Sequence, residues 1–202
     1  VDVTRDFDQL AELRSEARAI KEDAIEELDS LIERVEESVA ENGGSVYLAE
    51  DAADANRYVA EVMDDHDAET TVKSKSMTTE EIEVNEHLEE RGVEVRETHL
   101  GEFVVQVADE SPSHLVGPAL HKSTAEIADL VNAHFDLDEP LETAQELTMF
   151  ARDRVGEYIR EADVGVTGAN FVLAESGSIV LVTNEGNARK SAVTPPVHVA
   201  IA

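Results

Sequence analysis

The feature that most constrains this chain is the alternation of short apolar runs with helical periodicity between Ser45 and Thr98. The spacing predicts a strand at Ser45 to Ala49, a helix at Ala52 to Asp65 and a strand at Thr70 to Lys75. A helix at Thr79 to Arg91, capped by Gly92, and a strand at Val93 to Thr98 follow. Short strands separated by helices fold as a parallel sheet covered on both faces, because each helix carries the chain back to start the next strand in the same direction. The expected fold class is therefore α/β, with an open, mostly parallel sheet and helices on both faces. Ligands in such sheets collect at the carboxyl ends of the strands.

Ahead of this unit, apolar residues recur in steps of three and four: Leu10, Leu13, Ala17, Ile20, Ala24, Leu28, Leu31, Val35 and Val39. That stripe predicts one long amphipathic helix, or two nearly collinear ones, ended by Asn42-Gly43-Gly44. The expected division is a helical segment over 1–44 and an α/β domain over 45–202. Beyond it, Phe103 to Val107 reads as a strand, and the proline-punctuated stretch Ser111 to Lys122 as a loop. Helices are expected at Thr124 to Phe135 and Thr143 to Glu161. Strands are expected at Val164 to Thr167, Phe171 to Glu175, Ser178 to Thr183 and Val197 to Ile201, with Gly177 in a tight turn. The chain ends in an apolar run with no closing cap, so a longer parent protein is expected.

Charge narrows the class of partner. The 202 residues hold 46 Asp plus Glu against 16 Lys plus Arg, a net charge of −30, and only five of the bases are lysine. Binding to nucleic acid or to an anionic membrane needs a basic surface, so both are disfavoured. Self-repulsion at this charge is screened by concentrated salt, and acid excess with scarce lysine points to the cytoplasm of a salt-accumulating halophile. There is no cysteine, hence no disulfide and no thiolate ligand for a metal or cluster within these residues.

Five segments hold side chains suited to chemistry. Lys73, Ser74, Lys75 and Ser76 lie at a strand-to-helix junction, where two ammonium groups and free helix N–H groups fit an anion; the lysines equally fit neutralisation of nearby glutamates. Thr78 and Glu81 match a capping box. The run Glu97 to Glu102 leaves a strand at the edge where such folds bind ligands, and fits either a polar ligand or a capped turn. His114 and His121 lack the spacing of a known metal motif, so no metal site is expected. Glu175, before the Gly177 turn, fits a nucleophile or a surface turn. Gly168 and Asn170, between the strands expected at Val164 to Thr167 and Phe171 to Glu175, are ligand-binding candidates, as are His114 and His121. Asn184, Glu185, Gly186, Asn187 and Arg189 form a polar turn that fits either ligand orientation or self-bonding.

Taken together, the segments VKSKSMTTEE, ETHLGEFVVQ, SPSHLVGPALHK, VGVTGANFVLAESGSIVLVTNEGNAR and PPVHVAIA resemble, in order and spacing, the lactate-utilization (LUD) domain family, most closely its B-type members. The resemblance implies a fold of the NagB/RpiA/CoA transferase-like kind and a role in oxidising L-lactate to pyruvate. It implies partners of the lactate utilization A and C types, and a following region that carries two 4Fe-4S clusters. Under it, the domain binds substrate or partners. The alternatives are an acyl-transfer enzyme with Glu175 as nucleophile, by analogy with CoA transferases of similar fold, and a non-catalytic assembly module. His99 stands where the family usually has Asp, and Ala169 replaces a Cys found in some members.

Overall fold

A computed structural model describes residues 7–110, 119 and 121–202, with side chains from Leu10 onward. Two compact units divide the chain. The first runs to Val46 and takes in Val172–Ser178; the second comprises Tyr47–Phe171 and Ile179–Ala202.

In the first unit the amphipathic stripe forms two helices, α1 (Phe7–Glu26) and α2 (Leu28–Glu41), interrupted at Glu27. The turn of a hairpin packs on α2. Ser38 Oγ donates to the carbonyl of Ala174 at 2.8 Å, and Asn42 Nδ2 to that of Ser176 at 3.2 Å. Gly177 has φ 63° and lies against Val39, where a Cβ would stand 2.8 Å from a Val39 methyl. Both its backbone angle and its neighbour therefore demand glycine.

The second unit is built on four parallel strands, β1 (Thr70–Lys73), β2 (Glu94–Glu97), β3 (Val164–Gly168) and, last in the chain, a strand at Val197–Ile201. Between β3 and that strand the chain forms the hairpin β4 (Phe171–Leu173) and β5 (Ser178–Val180), which makes the fourth sheet strand β6. The sheet order is β2-β1-β3-β6, so the chain reverses its direction of travel across the sheet between β1 and β3. Such a reversal opens a crevice at the carboxyl ends of the two strands.

Helices cover both faces, as the alternation predicts. On one face, Val95, Val164 and Val166 pack against Val59, Ala60 and Met63 of α3 (Ala52–Asp65). On the other, Val72 packs against Ala151, Val155 and Ile159 of the long helix at Ala144–Glu161. Val164 and Val166 of β3, two apart, face the same core, because alternate side chains of a strand point to one face.

Four elements differ from expectation. Ser45 to Ala49 forms no strand; Tyr47 instead stacks on Tyr58 at 4.1 Å and donates its hydroxyl to Asp54. The helix expected over Thr79 to Arg91 is two short ones, α4 (Met77–Glu81) and α5 (Val84–Glu89), because Glu83 adopts φ 54° and the freed carbonyl of Ile82 accepts from Asn56 at 2.5 Å. The cap of α4 is Ser76, so Thr78 and Glu81 lie inside the helix and form no capping box.

Phe103 to Val107 is no strand but part of helix α6 (Leu100–Val107), whose continuous apolar run is buried against the sheet and its neighbouring helices. Two further helices, α7 (Thr124–Phe135) and α8 (Ala144–Glu161), follow, each opened by a reciprocal capping box, Ser123 with Glu126 and Thr143 with Glu146. The fourth difference is α9 (Asn187–Val193), which begins inside the polar turn read from the sequence. It is seated on β3 by a close backbone approach, Gly165 under the carbonyl of Ser191.

Candidate functional site

The two lysines of the KSKS segment have different fates. Lys73 and Glu97 are register partners on β1 and β2, so their side chains share a face. They meet there in an ion pair of 2.9 Å, both almost fully buried. Asn85 of α5 donates to Glu97 at 2.8 Å, and the Thr79 hydroxyl of α4 is 3.4 Å from the ammonium. The break between α4 and α5 lets both helices reach this pair. Lys73 is thus an internal charge of the sheet rather than a surface cation.

Lys75 lies past the end of β1 and its ammonium is 2.5 Å from Glu102 Oε1, on the first turn of α6. Glu102 Oε2 is bonded to His99 Nδ1, and His99 Nε2 is 3.9 Å from Glu185. Asn187 donates to the carbonyl of Thr98 at 2.6 Å and to Glu185 at 3.0 Å. A chain of groups, Lys75, Glu102, His99, Glu185 and Asn187, is thereby gathered at the carboxyl edge of the sheet from β1, α6 and the start of α9.

Burial alone would push the Glu102 carboxyl up, but hydrogen bonds from His99 and Lys75 outweigh it and hold it at about 2. The same bond to Glu102, reinforced by the charges of Glu102 and Glu185 against the opposing effect of burial, raises His99 above its ordinary value. The site therefore holds the Lys75 ammonium and the His99 ring on the two oxygens of one buried carboxylate, which favours the protonated form of the ring.

Other residues singled out in the sequence serve the framework. Ser74 is buried and its N–H donates to the Val166 carbonyl at 2.9 Å. Ser76 caps α4 beneath Gly168, where a Cβ would stand 2.5 Å from the Ser76 hydroxyl. Asn170 Oδ1 accepts from the N–H of Val182 at 2.7 Å, fixing the base of the hairpin. The Gly186 N–H donates to the Thr183 hydroxyl at 2.9 Å, closing the turn before α9.

Asn184 and Arg189 are exposed. His121 pairs with Glu110 at 3.1 Å. Glu175 is exposed in the hairpin turn and belongs to the first unit, whereas the Lys75 chain lies in the second. His114 lies outside the described residues. Among the described residues no group of three or more His, Cys, Asp or Glu is arranged to hold a metal, and no helix is long and apolar enough to cross a membrane.

A family profile described as LUD domain matches residues 32–202, the whole α/β unit together with most of α2. The chain belongs to the LUD domain family. Lactate utilization protein B of Shouchella clausii is 46% identical over 191 residues, 94% of this chain and 40% of the relative. Lactate utilization protein B of Bacillus subtilis is 42% identical over 191 residues, with the same coverage. An "Uncharacterized electron transport protein YkgF" of Escherichia coli is 42% identical over 190 residues, again 94% and 40%. This LUD domain thus spans about 40% of the length of the curated relatives it matches. No solved structure matches it.

Two members of the LUD domain's charge chain, His99 and Glu102, were visible in the sequence only as part of an undecided segment. Their spacing of three becomes a contact once Leu100 to Val107 is helical, with His99 as the cap and Glu102 in the first turn.

The pH response of this cluster has a definite sign. The depressed Glu102 contributes stability that is complete above the ordinary glutamate value of about 4.3 and is lost as pH falls towards 2. The raised His99 contributes stability that is complete below about 6.5 and is lost as pH rises through its folded value. The difference in melting temperature between the native chain and Glu102→Gln should therefore be largest between about pH 4.5 and 6.5 and shrink on both sides. Melting curves of both proteins across pH 3 to 9 measure it; a gap independent of pH would show that the cluster does not titrate in this way.

Proposed function

We propose that this LUD domain binds the small carboxylate substrate of an L-lactate-oxidising assembly at the carboxyl edge of its sheet. The observation that carries the reading is the Lys75–Glu102–His99 cluster, which holds an ammonium and an imidazole on one buried carboxylate at that edge in a chain with a net charge of −30. A carboxylate is held by donors such as the Lys75 ammonium, and charge-assisted hydrogen bonds to it are the strong kind. Asn187, whose amide nitrogen donates to Thr98 and Glu185, keeps its side-chain oxygen to accept from a substrate hydroxyl beside them. The names of the relatives, lactate utilization protein B and an electron transport protein, support the same setting.

In that setting, oxidation of lactate to pyruvate releases two electrons. The domain has no cysteine, so its donor set does not fit a thiolate-ligated cluster, and no electron-transfer step is assigned to its residues. We place two 4Fe-4S clusters in a region of the parent protein outside these residues, with lactate utilization A- and C-type proteins as the partners. The task of this domain is to hold the substrate anion and dock that assembly.

The test is a melting-temperature titration of the full-length protein, in molar salt, with L-lactate, pyruvate and acetate. A ligand that binds only the folded state raises its melting point by about 2.7 kcal/mol of stabilisation at a hundred times its Kd. L-lactate or pyruvate should raise it, and the rise should vanish in Lys75→Met. No rise with either, or an equal rise in Lys75→Met, would exclude this site.

A further inference from the structure

The apolar stripe of α1 is left open. Leu10, Leu13, Ala17 and Ile20 are exposed, Leu13 and Ile20 by 54% and 62%, and only Ala24 is half-buried. The stripe of α2 has a use in the same unit, since Val39 meets Gly177 and Ser38 holds the hairpin turn. Among the described residues nothing comparable covers α1. A helix of this length gains most of its stability in water from packing its apolar face, so the open stripe calls for a partner.

The spacing and the flanking charges say which partner. Positions 10, 13, 17, 20 and 24 alternate steps of three and four, the heptad period that keeps a stripe in register along a second, supercoiled helix. Leu10, Ala17 and Ala24 then take the a positions, and Leu13 and Ile20 the d positions. One flank, position e, holds Arg14 and Lys21; the other, position g, holds Glu16 and Asp23. None of these four has an opposite charge three or four places away on α1, whereas Arg18 on the outer face pairs with Glu22 at 2.8 Å. The flanking charges are thus left for another helix.

We infer that α1 is a self-association surface whose occupant is α1 of a second copy, running parallel to it in a two-stranded coil. In a parallel pair each g residue faces the e residue five places further along the other helix, so Glu16 of each copy meets Lys21 of the other. The two-fold axis makes this contact twice. An antiparallel pair sets g against g and e against e, which brings acids onto acids and bases onto bases. From Leu10 to Glu26, α1 holds three bases against five acids, far nearer balance than the 16 against 46 of the whole chain. Repulsion between two copies is therefore lower here than over the chain as a whole.

The test is sedimentation equilibrium of the full-length protein at the lowest salt that keeps it folded, where ion pairs are least screened. The native protein should sediment as a dimer that dissociates on dilution. Leu13→Asp combined with Ile20→Asp should weaken the dimer at least about a hundredfold, since charge replaces two apolar contacts of each copy. Both positions are exposed, so the melting curve of that variant should still show a folded protein. Glu16→Lys should weaken the dimer about tenfold although it lowers the net negative charge of both copies, and adding Lys21→Glu should restore the native value.

A monomer at every concentration overturns the proposal, as does an undiminished dimer in the folded Leu13→Asp, Ile20→Asp protein. A tighter dimer in Glu16→Lys overturns it too, because that is the response of an antiparallel pair or of net charge alone.

Discussion

Gly165→Ala is expected to abolish the native fold. A Cβ at this position would lie 1.8 Å from the carbonyl oxygen of Ser191 and 2.9 Å from its carbon, with a Pro195 ring atom at 3.2 Å. The obstacle is backbone, so no rotamer change relieves it. Nor can β3 retreat, because it is hydrogen-bonded to β1 on one side and to β6 on the other. The only relief is displacement of α9, which uncovers Gly165 and the fully buried Ser191 and drags the Asn187 side chain from Thr98. A cost above about 4 kcal/mol is the outcome for an overlap that cannot relax. For comparison, a Cβ on Gly156 meets only the far end of the Arg160 side chain at 3.4 Å, so Gly156→Ala should gain about 0.5–1 kcal/mol of helix propensity. Soluble yield and melting temperature of the two variants, side by side, measure the contrast; a folded Gly165→Ala with native stability would mean that α9 is not seated on β3.

Glu102→Ala should be the most damaging change at the functional site. Its carboxylate is the common acceptor for Lys75 and His99, and its side chain is only 6% exposed, so no solvent ion can replace it without opening α6. Removing one member of a buried ion pair strands the other charge and typically costs 3–5 kcal/mol. Lys75 and His99 are about a quarter and a third exposed and recover part of that from water, which places the expected loss near 3 kcal/mol. For a chain of this length that is a fall of roughly 6–12 °C in melting temperature. Function should fail further than stability. Without Glu102 the Lys75 and His99 side chains are no longer held together, so the response to L-lactate should be lost even at temperatures where the variant is fully folded. Retention of that response in a folded Glu102→Ala protein would place the substrate elsewhere.

Much of this architecture is legible in the sequence because it is local. The α3 helix and the strands β1, β2, β3 and β6 follow from periodicity, and the caps of α7 and α8 from Ser or Thr three residues before Glu. The failures have particular causes. Phe103, Val104 and Val105 form a continuous apolar run, which fits a buried strand and a buried helix equally well. That one misreading hid the site, since residues three apart point to opposite faces of a strand but to one face of a helix, and His99 and Glu102 are three apart. Glu83 breaks a helix that its neighbours would have continued, for a tertiary reason, the bond from Asn56 to Ile82. The polar turn at Asn184 to Arg189 masked the start of α9, whose place is set by the contact with Gly165, far away in sequence. The family itself was legible in the motifs, whereas the place of Glu175 in the first unit follows from the packing of the hairpin tip on α2.

The pairing of β1 with β3 bears on how this domain assembles. Thr71 and Val164 are neighbours in the sheet yet 93 residues apart in the chain, while β1 and β2 pair across a span of only about two dozen. Closing the shorter loop loses less chain entropy, and contacts of long range slow the search for the native state. Loop-closure entropy therefore favours the β1–α4–α5–β2 segment, with its Lys73–Glu97 contact, forming ahead of the crevice between β1 and the distant β3. A ligand of this crevice meets a binding surface at the end of folding, and its presence acts on the rate of unfolding rather than on the early collapse.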